Sequence, residues 1–550
     1  MSRPPPSPSG LPPGLPRGAM ILRGGLVLDG SGRTGHVADV AMSDGEITAI
    51  EAPGILPRGG PGRAPLDEVD CTGLIVCPGF LDTHTHTDLA ALRDPDIAMK
   101  AHQGVTLDVL GQDGVGVAPL PLAARAQMAG TIAGLDGTLP DWDWESVGEY
   151  LARLDRTPTG IHLATLVPHG NLRLAVLGMD DRPATPAELD GMCRLLEAGL
   201  EEGAVGLSTG LIYPPCCYGD TAELITLGRV LARHDRPLVV HMRSESDFLL
   251  DAVEEMLTVG RTSGCRIHIS HLKIAGAGNW KLVDHLLAAL DNPDVRVTAD
   301  QYPYTAGSTM MGAILPPWAH AGGVEATLGR LADRGQRARL RADLVAAGPH
   351  PWDNFWSWAG AEGIFVSDIP SGRGADRVGK NLAEIAGSND PIEAAFDLLL
   401  SERMGVGMIA FSQSEDVVRA LLRHPNVNGC TDGLLGGKPH PRAYGAFPRI
   451  LRLNREHALL PWEELVRKLT SQAADALTLP GRGRLLVGAP ADVVAFDPHT
   501  VADTATYADP RQFPTGMPHV IVGGVPVVRD GVGTGARPGQ VVRGVVPAGV

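Results

Sequence analysis

Residues 74–86 read LIVCPGFLDTHTH, an apolar run that ends in two histidines one residue apart. Seven more segments share this form, an apolar run that stops at polar side chains: TLDVLGQDG (106–114), IHLATLVPHG (161–170), AVGLSTG (204–210), LVVHMRSE (238–245), RIHISHLK (266–273), VRVTADQYPY (295–304) and NVNGCTDG (426–433). Helical patterns such as PAELDGMCRLLEAGLEEG (186–203) separate most of them. Four of the seven intervals between strand ends are 29 to 33 residues long, which is the length of one strand and one helix. Eight such units predict an α/β fold, a closed (β/α)₈ barrel of the TIM type, with its chemistry at the carboxyl ends of the strands.

Both ends of the chain differ from this alternating middle. They carry short apolar runs punctuated by Gly and Asp-Gly, with no helical period. We therefore predict a small β-sandwich domain built from residues 19–80 and 482–550, around a barrel at 81–481. Residues 1–18 are rich in proline and predict a disordered tail. The last interval, 132 residues, predicts an insertion at about 308–362, whose four tryptophans suit either a lid or a surface excursion.

Composition and charge exclude several classes of protein. The chain has Asp+Glu 63 against Lys+Arg 47, a net charge of −16 with no basic run, so we expect no nucleic-acid partner. No apolar stretch reaches the roughly 18 residues of a transmembrane helix, and the N-terminus lacks the apolar core of a secretory signal. Seven scattered cysteines favour a reducing, cytoplasmic location over a disulfide framework. The oligomeric state stays open, with a homo-oligomer among the alternatives.

Four histidines stand at predicted strand ends. Strand periodicity puts His84 and His86 on one face of the first strand, while His241 and His271 end the fifth and sixth strands. Buried histidines without partners are costly, whereas neutral imidazoles are good metal ligands. The pattern therefore predicts a divalent metal site. His268, on the opposite face from His271, is interpreted as structural.

Two aspartates complete the predicted site. No lysine occurs between residues 101 and 272, so a carboxylated lysine on the fourth strand is excluded as a bridge between two metal ions. Asp113, at the end of the second strand, is the next candidate, and its hard oxygen suits Zn²⁺, Mn²⁺ or Fe²⁺. Asp432 ends the eighth strand, beside the first. There it is placed to take a proton from a metal-bound water and pass it to a leaving amine, as a general base.

With these residues in place, the sequence resembles the amidohydrolase superfamily and, within it, the D-aminoacylase (N-acyl-D-amino-acid deacylase) family. The resemblance runs from about residue 20 to the C-terminus and rests on GFLDTHTHTD (79–88), GAVGLSTGLIYPP (203–215), HMRSE (241–245), ISHLK (269–273), YPYTAGST (302–309), PHPRAYGAFPRIL (439–451) and APADVVAFDP (489–498). It implies a barrel with a β-sandwich that hydrolyses the amide of N-acyl-D-amino acids with one or two divalent ions, Zn²⁺ or alternatively Mn²⁺, Co²⁺ or Fe²⁺. By position, His84 and His86 would hold the weaker metal, His241 and His271 the tighter one, and Asp432 would be the base.

The substrate-binding residues are less sharply defined. Lys273 and Tyr304 match residues that contact substrate in this family. From the residues alone, Lys273 and Arg243 each lie two positions past a histidine, so either cation is a candidate to pair with a substrate carboxylate or to form a salt bridge at the rim. Tyr302 and Tyr304 are candidates to donate to an oxyanion or carboxylate, and His169 to orient the substrate.

The chain departs from the family pattern at two places. Asp113 stands where the family has a cysteine, and Cys216 stands where a glycine is usual; neither Cys216 nor Cys217 receives a role. Two rival functions remain. A cyclic-amide hydrolase of the dihydroorotase or hydantoinase type is disfavoured by the absent strand-4 lysine, and an inactive barrel scaffold is disfavoured by the intact histidines.

Overall fold

The computed structural model describes residues 19–58, 66–136 and 142–545. The proline-rich tail predicted at residues 1–18 lies outside these ranges. Within them, no helix combines the length and the apolar character that crossing a bilayer requires.

Strands and helices alternate through the middle of the chain. The strands are β1 (Met20–Val27), β2 (His36–Ser43), β3 (Glu46–Glu51), β4 (Asp67–Asp70), β5 (Ile75–Pro78), β6 (Phe80–Asp82), β7 (Val105–Leu110), β8 (His162–Thr165), β9 (Val167–Pro168), β10 (Leu207–Gly210), β11 (Pro237–His241), β12 (Arg266–Ile269), β13 (Val297–Gln301), β14 (Ala306–Met310), β15 (Ile364–Asp368), β16 (Gly407–Phe411), β17 (Val427–Gly429), β18 (Val493–Phe496), β19 (His519–Val522), β20 (Val525–Arg529) and β21 (Val532–Gly533). The α-helices are α1 (Ala90–Arg93), α2 (Ala98–Ala101), α3 (Arg125–Asp136), α4 (Val147–Asp155), α5 (His169–Val176), α6 (Pro186–Glu201), α7 (Thr221–Arg233), α8 (Leu249–Ser263), α9 (Val283–Leu290), α10 (Gly323–Ala332), α11 (Arg334–Val345), α12 (Phe355–Gly363), α13 (Leu382–Ala386), α14 (Pro391–Ser401), α15 (Glu415–Arg423), α16 (Arg442–His457), α17 (Trp462–Arg467) and α18 (Ala473–Ala476).

The parallel strands of the middle region form a barrel. One sheet has the order β6-β7-β8 and the other the order β17-β13-β12-β11-β10-β9. β8 and β9 are two parts of one strand, separated only by Leu166, whose N–H donates to the carbonyl of Leu110 at the end of β7 (3.0 Å). A parallel bridge between Thr85 and Gly433 joins the segment after β17 to the segment after β6. Eight parallel strands therefore surround one core, and the predicted (β/α)₈ fold class is confirmed.

The outer helices show why the sequence adopts this arrangement. Asp220 precedes α7, and its carboxylate accepts the N–H of Glu223 (2.8 Å), which caps a free amide of the first turn. Leu224, Leu227 and Leu231 recur at helical spacing and are buried in the main core of the molecule. The apolar stripe of α7 thus covers the outside of the barrel, as the alternating sequence predicts.

The two chain ends share one nine-stranded sheet. In it β18, from the C-terminal region, pairs antiparallel with β5, which in turn pairs parallel with β1. Its own core includes Val40, Val76, Val493 and Ile521. A β domain made from both ends of the chain is thereby confirmed as part of the fold.

A separate unit follows the seventh barrel strand. β14, β16 and β15 form an antiparallel sheet, and the core packed against it draws its residues from Met311 to Ala410. Three of the four tryptophans noted in the sequence, Trp318, Trp352 and Trp356, pack on this core. We call residues 306–411 the inserted unit. Three points stay predictions, namely the limits of 308–362 for an insertion, its role as a lid and the other domain limits.

Candidate metal centre

The carboxyl ends of the barrel strands place six titratable side chains together. His241 ends β11, and His84 and His86 lie two and four residues past the end of β6. His271, Asp113 and Asp432 lie two or three residues past the ends of β12, β7 and β17. All six side chains are buried, because they face the mouth of the barrel and one another rather than solvent.

Asp113 is the centre of this cluster. Its Oδ1 atom lies 3.6 Å from His84 Nε2 and 3.4 Å from His271 Nε2. Its Oδ2 atom lies 3.5 Å from His86 Nε2 and 3.9 Å from His241 Nδ1. One carboxylate therefore contacts all four histidines. Burial alone would raise the pKa of the Asp113 carboxyl, but the surrounding histidines hold it well below its usual value.

Asp432 approaches the same point from the eighth strand. Its Oδ1 atom lies 3.8 Å from His84 Nε2 and 3.5 Å from His86 Nε2. Its Oδ2 atom lies 2.8 Å from Nη1 of Arg442. Burial opposes ionisation of this carboxyl, but Arg442 and the histidines outweigh it, so the pKa is far below the usual value and the group is an anion at neutral pH.

The residues present fit a divalent cation. Three groups of side chains each bring one nitrogen or oxygen atom of every member within 4.8 Å of the others, namely His84–His271–Asp432, His84–His86–Asp113 and Asp113–His241–His271. Among the residues that the structure describes, Nε2 of His84 and Oδ1 of Asp113 are buried and find no hydrogen-bond partner. Buried polar atoms without partners are costly, and imidazole nitrogen and carboxylate oxygen are ligands that Zn²⁺ accepts. We call these six residues the metal centre.

Glu245 lies behind two of the histidines, and the sequence reasoning assigned it no role. Its Oε1 atom is 3.2 Å from His271 Nδ1 and 2.6 Å from Lys273 Nζ, and its Oε2 atom is 3.6 Å from His241 Nε2. A carboxylate on the rear nitrogen of a metal-binding histidine fixes the tautomer and the ring orientation. The signal in the sequence was its position, four residues after His241.

Arg442 is the second functional candidate that sequence reasoning missed. It begins α16, its side chain is fully buried, and it donates to the backbone carbonyl of Ser308 (2.8 Å). Its Cζ atom lies 4.4 Å from the ring centroid of Tyr302, and Lys273 Nζ lies 5.7 Å from the same centroid. The phenol of Tyr302 accepts from Gln413 (3.0 Å). Lys273, Tyr302 and Arg442 thus form one cationic group beside Asp432.

The other predicted substrate residues are placed differently. Tyr304 is buried with no hydrogen bond to its hydroxyl in the described ranges, and its ring contacts that of His440 (centroids 5.0 Å apart). The guanidinium of Arg243 donates to Glu255 (3.0 and 3.1 Å) and to two backbone carbonyls. Arg243 is therefore paired with Glu255 instead of facing the histidines, and the structure does not bring it to the metal centre.

His169 lies in a second buried network. Its Nε2 atom is 2.8 Å from Glu223, its Nδ1 atom is 2.9 Å from Thr209, and Arg173 also donates to Glu223 (2.7 Å). Burial lowers the pKa of His169, but Cys216 and Glu223 raise it to about 9. The structure thus pairs His169 with these groups rather than with the four metal-centre histidines.

A barrel whose mouth gathers four histidines and two aspartates defines the class of metal-dependent (β/α)₈ hydrolases. The comparisons with known proteins agree. Residues 67–528 match the amidohydrolase family. The chain is 34% identical to D-aminoacylase of Alcaligenes xylosoxydans xylosoxydans over 95% of this chain and 97% of that protein, and 35% identical to N-acyl-D-glutamate deacylase of the same organism over 95% and 96%.

A solved structure extends the comparison to three dimensions. N-acyl-D-glutamate deacylase of Bordetella bronchiseptica, complexed with zinc and a phosphonate mimic of the tetrahedral intermediate, superposes with a TM-score of 0.79 at 34% identity, over 96% of this chain and 100% of that chain. The protein belongs to the amidohydrolase family. The predicted family and hydrolytic class are confirmed, and the six residues of the metal centre fit the predicted divalent cation.

Proposed function

We propose that the protein hydrolyses the amide bond of N-acyl-D-amino acids and releases a carboxylate and a free D-amino acid. The proposal is supported by the deacylase activities that the related proteins are named for and by the buried His and Asp donors at the barrel mouth. His84, His86, Asp113, His241 and His271 would hold the metal. A divalent cation held there supplies Lewis-acid activation of the scissile carbonyl and of water.

Asp432 is the general base in this proposal. The observation that carries the assignment is the position of Asp432 Oδ1, within 3.8 Å of Nε2 of both His84 and His86, two of the residues that would hold the metal. Arg442 is bound to the other oxygen, so Oδ1 is left to take the proton. The same proton then passes to the amide nitrogen as the C–N bond breaks, and the products are a carboxylate and an amine.

The substrate carboxylate faces the cationic group beside Asp432. Lys273 Nζ and Arg442 Cζ lie 5.7 Å and 4.4 Å from the centroid of the Tyr302 ring, so both cations would pair with one substrate carboxylate there. Hydrogen bonds between a cation and a carboxylate are stronger than neutral ones. Burial raises the pKa of Tyr302 to about 12, so its phenol keeps its proton and donates. These three side chains fix the amino-acid end of the substrate while the amide carbon faces the metal centre.

The first prediction tests Asp432. Asp432→Asn keeps the size of the side chain and removes its basicity, so kcat should fall by about 10²–10⁴-fold while metal content stays unchanged. The measurement pairs an amine-release assay on N-acetyl-D-amino acids, their L-enantiomers and hydantoins with metal analysis of the same sample. If the parent protein cleaves hydantoins and not N-acyl-D-amino acids, the rival function of a cyclic-amide hydrolase is favoured.

Asp530→Asn is the matched control. Asp530 has nearly the same left-handed backbone as Asp432 (φ 52° against 48°), but its side chain is 80% exposed on the β domain. It should leave kcat unchanged. A fully active Asp432→Asn enzyme would remove the base assignment, and a purified protein with neither bound metal nor amide hydrolysis would point to the scaffold instead.

A further inference from the structure

We propose that an uncharged aliphatic group of the substrate, either its acyl chain or its side chain, occupies an apolar pocket beside the metal centre. The inference rests on the proposed function and names the substrate class within it. The pocket lies between the inserted unit and the loop after β10.

The lining of the pocket is mostly hydrocarbon and thioether. Met310, Leu315 and Met404 come from the inserted unit, and Ile212 comes from the loop after β10. The enclosed space measures about 50 Å³. That volume exceeds the ~10–15 Å³ needed for one water and suits a small aliphatic group. Flexible methionines line two sides, so the pocket can adapt to groups of different shape.

Tyr213 connects the pocket to the metal centre. It lines the pocket, and its ring meets that of His241 edge-on with centroids 5.1 Å apart. Its hydroxyl is hydrogen-bonded to Thr309 (2.9 Å), the residue before Met310 on β14. A substrate whose amide carbon faces His241 therefore has one substituent beside Tyr213, at the entrance to the pocket.

The described side chains that line the pocket provide no partner for an ionic group. None of the described residues that line it is Asp, Glu, Lys or Arg. Its polar members are already engaged: Thr327 donates to the carbonyl of Gly323 (3.0 Å), and His320 Nε2 is 3.1 Å from that of Gly312. Desolvation lowers the pKa of His320 to about 4, so this ring is neutral at pH 7. A carboxylate placed here would lose its hydration without gaining a partner.

This chemistry bears on a choice among substrates that sequence identity leaves open. N-acyl-D-glutamate deacylase and N-acyl-D-aspartate deacylase of Alcaligenes xylosoxydans xylosoxydans are 35% and 34% identical to it, about as similar as D-aminoacylase at 34%. Identity therefore does not choose among these substrates, whereas the lining of the pocket predicts that whichever substituent enters it is neutral.

The experiment compares isosteric neutral and acidic substituents at each of the two positions. In the side-chain arm, kcat/KM is measured for N-acetyl-D-leucine and N-acetyl-D-aspartate. In the acyl arm, it is measured for N-isovaleryl-D-alanine and N-malonyl-D-alanine. The neutral member should be favoured by about 100-fold or more in the arm whose substituent enters the pocket.

Two variants and a control link that preference to the pocket. Met404→Ala enlarges the pocket and should raise kcat/KM for longer aliphatic groups by about 10-fold relative to shorter ones. Ala313→Leu fills the pocket and should lower kcat/KM for the longer groups relative to the shorter ones. Ala346→Leu adds the same bulk at an exposed position of the inserted unit and should change neither ratio. The arm that responds identifies which substituent the pocket holds.

Two outcomes would overturn the inference while leaving the proposed function intact. One is an acidic substrate that matches or exceeds its neutral isostere in both arms. The other is a chain-length dependence that neither variant alters in either arm. If no N-acyl-D-amino acid in the panel is hydrolysed, the proposed function itself is wrong and this inference falls with it.

Discussion

At the scale of single residues, the metal centre is built on strained backbone. Asp113, His271 and Asp432 adopt left-handed conformations with φ of 56°, 35° and 48°. Such conformations cost an L-residue about 1–3 kcal/mol each and persist only where the surroundings enforce them. Here each one lies just past a strand end, where it turns a side chain into the barrel mouth. Stability is thus given up to preorganise three of the six residues of the centre.

Glu245 is the residue that should tune metal affinity without touching the cation. Glu245→Gln keeps the shape but removes the negative charge behind His241 and His271, so metal affinity should fall by about 10–100-fold. Chelator competition on the purified protein measures this directly, independent of turnover. Glu254→Gln, at a side chain 59% exposed on α8, is the control that should leave affinity unchanged. If Glu245→Gln leaves the metal affinity unchanged, the Glu245 carboxylate serves only to pair with Lys273 and does not orient the two histidines.

Sequence reasoning identified residues at the ends of strands and missed Glu245 and Arg442. His84, His86, His241 and His271 were visible because an apolar run ending in histidine is unusual and parallel strands end on one side of a barrel. Glu245 was hidden because it lies past the strand, where a glutamate is ordinarily a surface residue. Arg442 was hidden because burial of an arginine depends on Asp432 and Tyr302, which approach from distant parts of the chain.

At the scale of elements, the inserted unit is anchored to the loop that carries Glu245. The carboxylate of Asp353 accepts from Ser244 Oγ (2.8 Å), from the N–H of Glu245 (2.8 Å) and from Ser246 Oγ (2.7 Å). All four residues are buried. One side chain of the inserted unit therefore organises three consecutive residues beside the metal centre.

Asp353→Ala should loosen this loop. The change removes the acceptor that two hydroxyls and one amide share, and a buried donor left without an acceptor costs about 1–3 kcal/mol. Hydrogen exchange should accelerate at residues 243–248, and metal affinity should fall with it. Asp376→Ala, at an exposed position of the same unit, should alter neither. Protection of 243–248 that survives in Asp353→Ala would show that the loop holds its shape without the inserted unit.

At the scale of the whole molecule, the barrel and the β domain meet at a half-buried group of charged side chains around Asp492. Asp492, just before β18, accepts from Gly523 (2.8 Å) and pairs with Arg482 (2.5 Å) and with His162 (2.9 Å), which begins β8 of the barrel. The order of the barrel strands could be predicted from spacing alone. This junction could not, because it joins residues 330 positions apart through side chains with no shared periodicity.

Asp492→Asn should therefore weaken the joint between the two domains. Removing the charge leaves His162 and Arg482 without their anion, at a cost of about 1–3 kcal/mol, and the melting temperature at pH 7 should fall by roughly 1–3 °C. Asp509→Asn, an exposed aspartate of the C-terminal region, should melt like the parent protein.

The pH dependence of melting gives the same prediction a second, signed test. Burial raises the pKa of Asp492, but His162, Arg482 and the Gly523 amide together lower it by more. The pKa in the folded state therefore lies below the ordinary 3.8. The folded state then binds fewer protons than the unfolded state near pH 4, and the stabilisation present above that pH is lost as the pH falls through the folded value. The melting temperatures of the parent and Asp492→Asn should consequently converge as the pH is lowered below about 4. Equal melting temperatures at pH 7, or a gap that widens in acid, would show that Asp492 does not join the two domains through its charge.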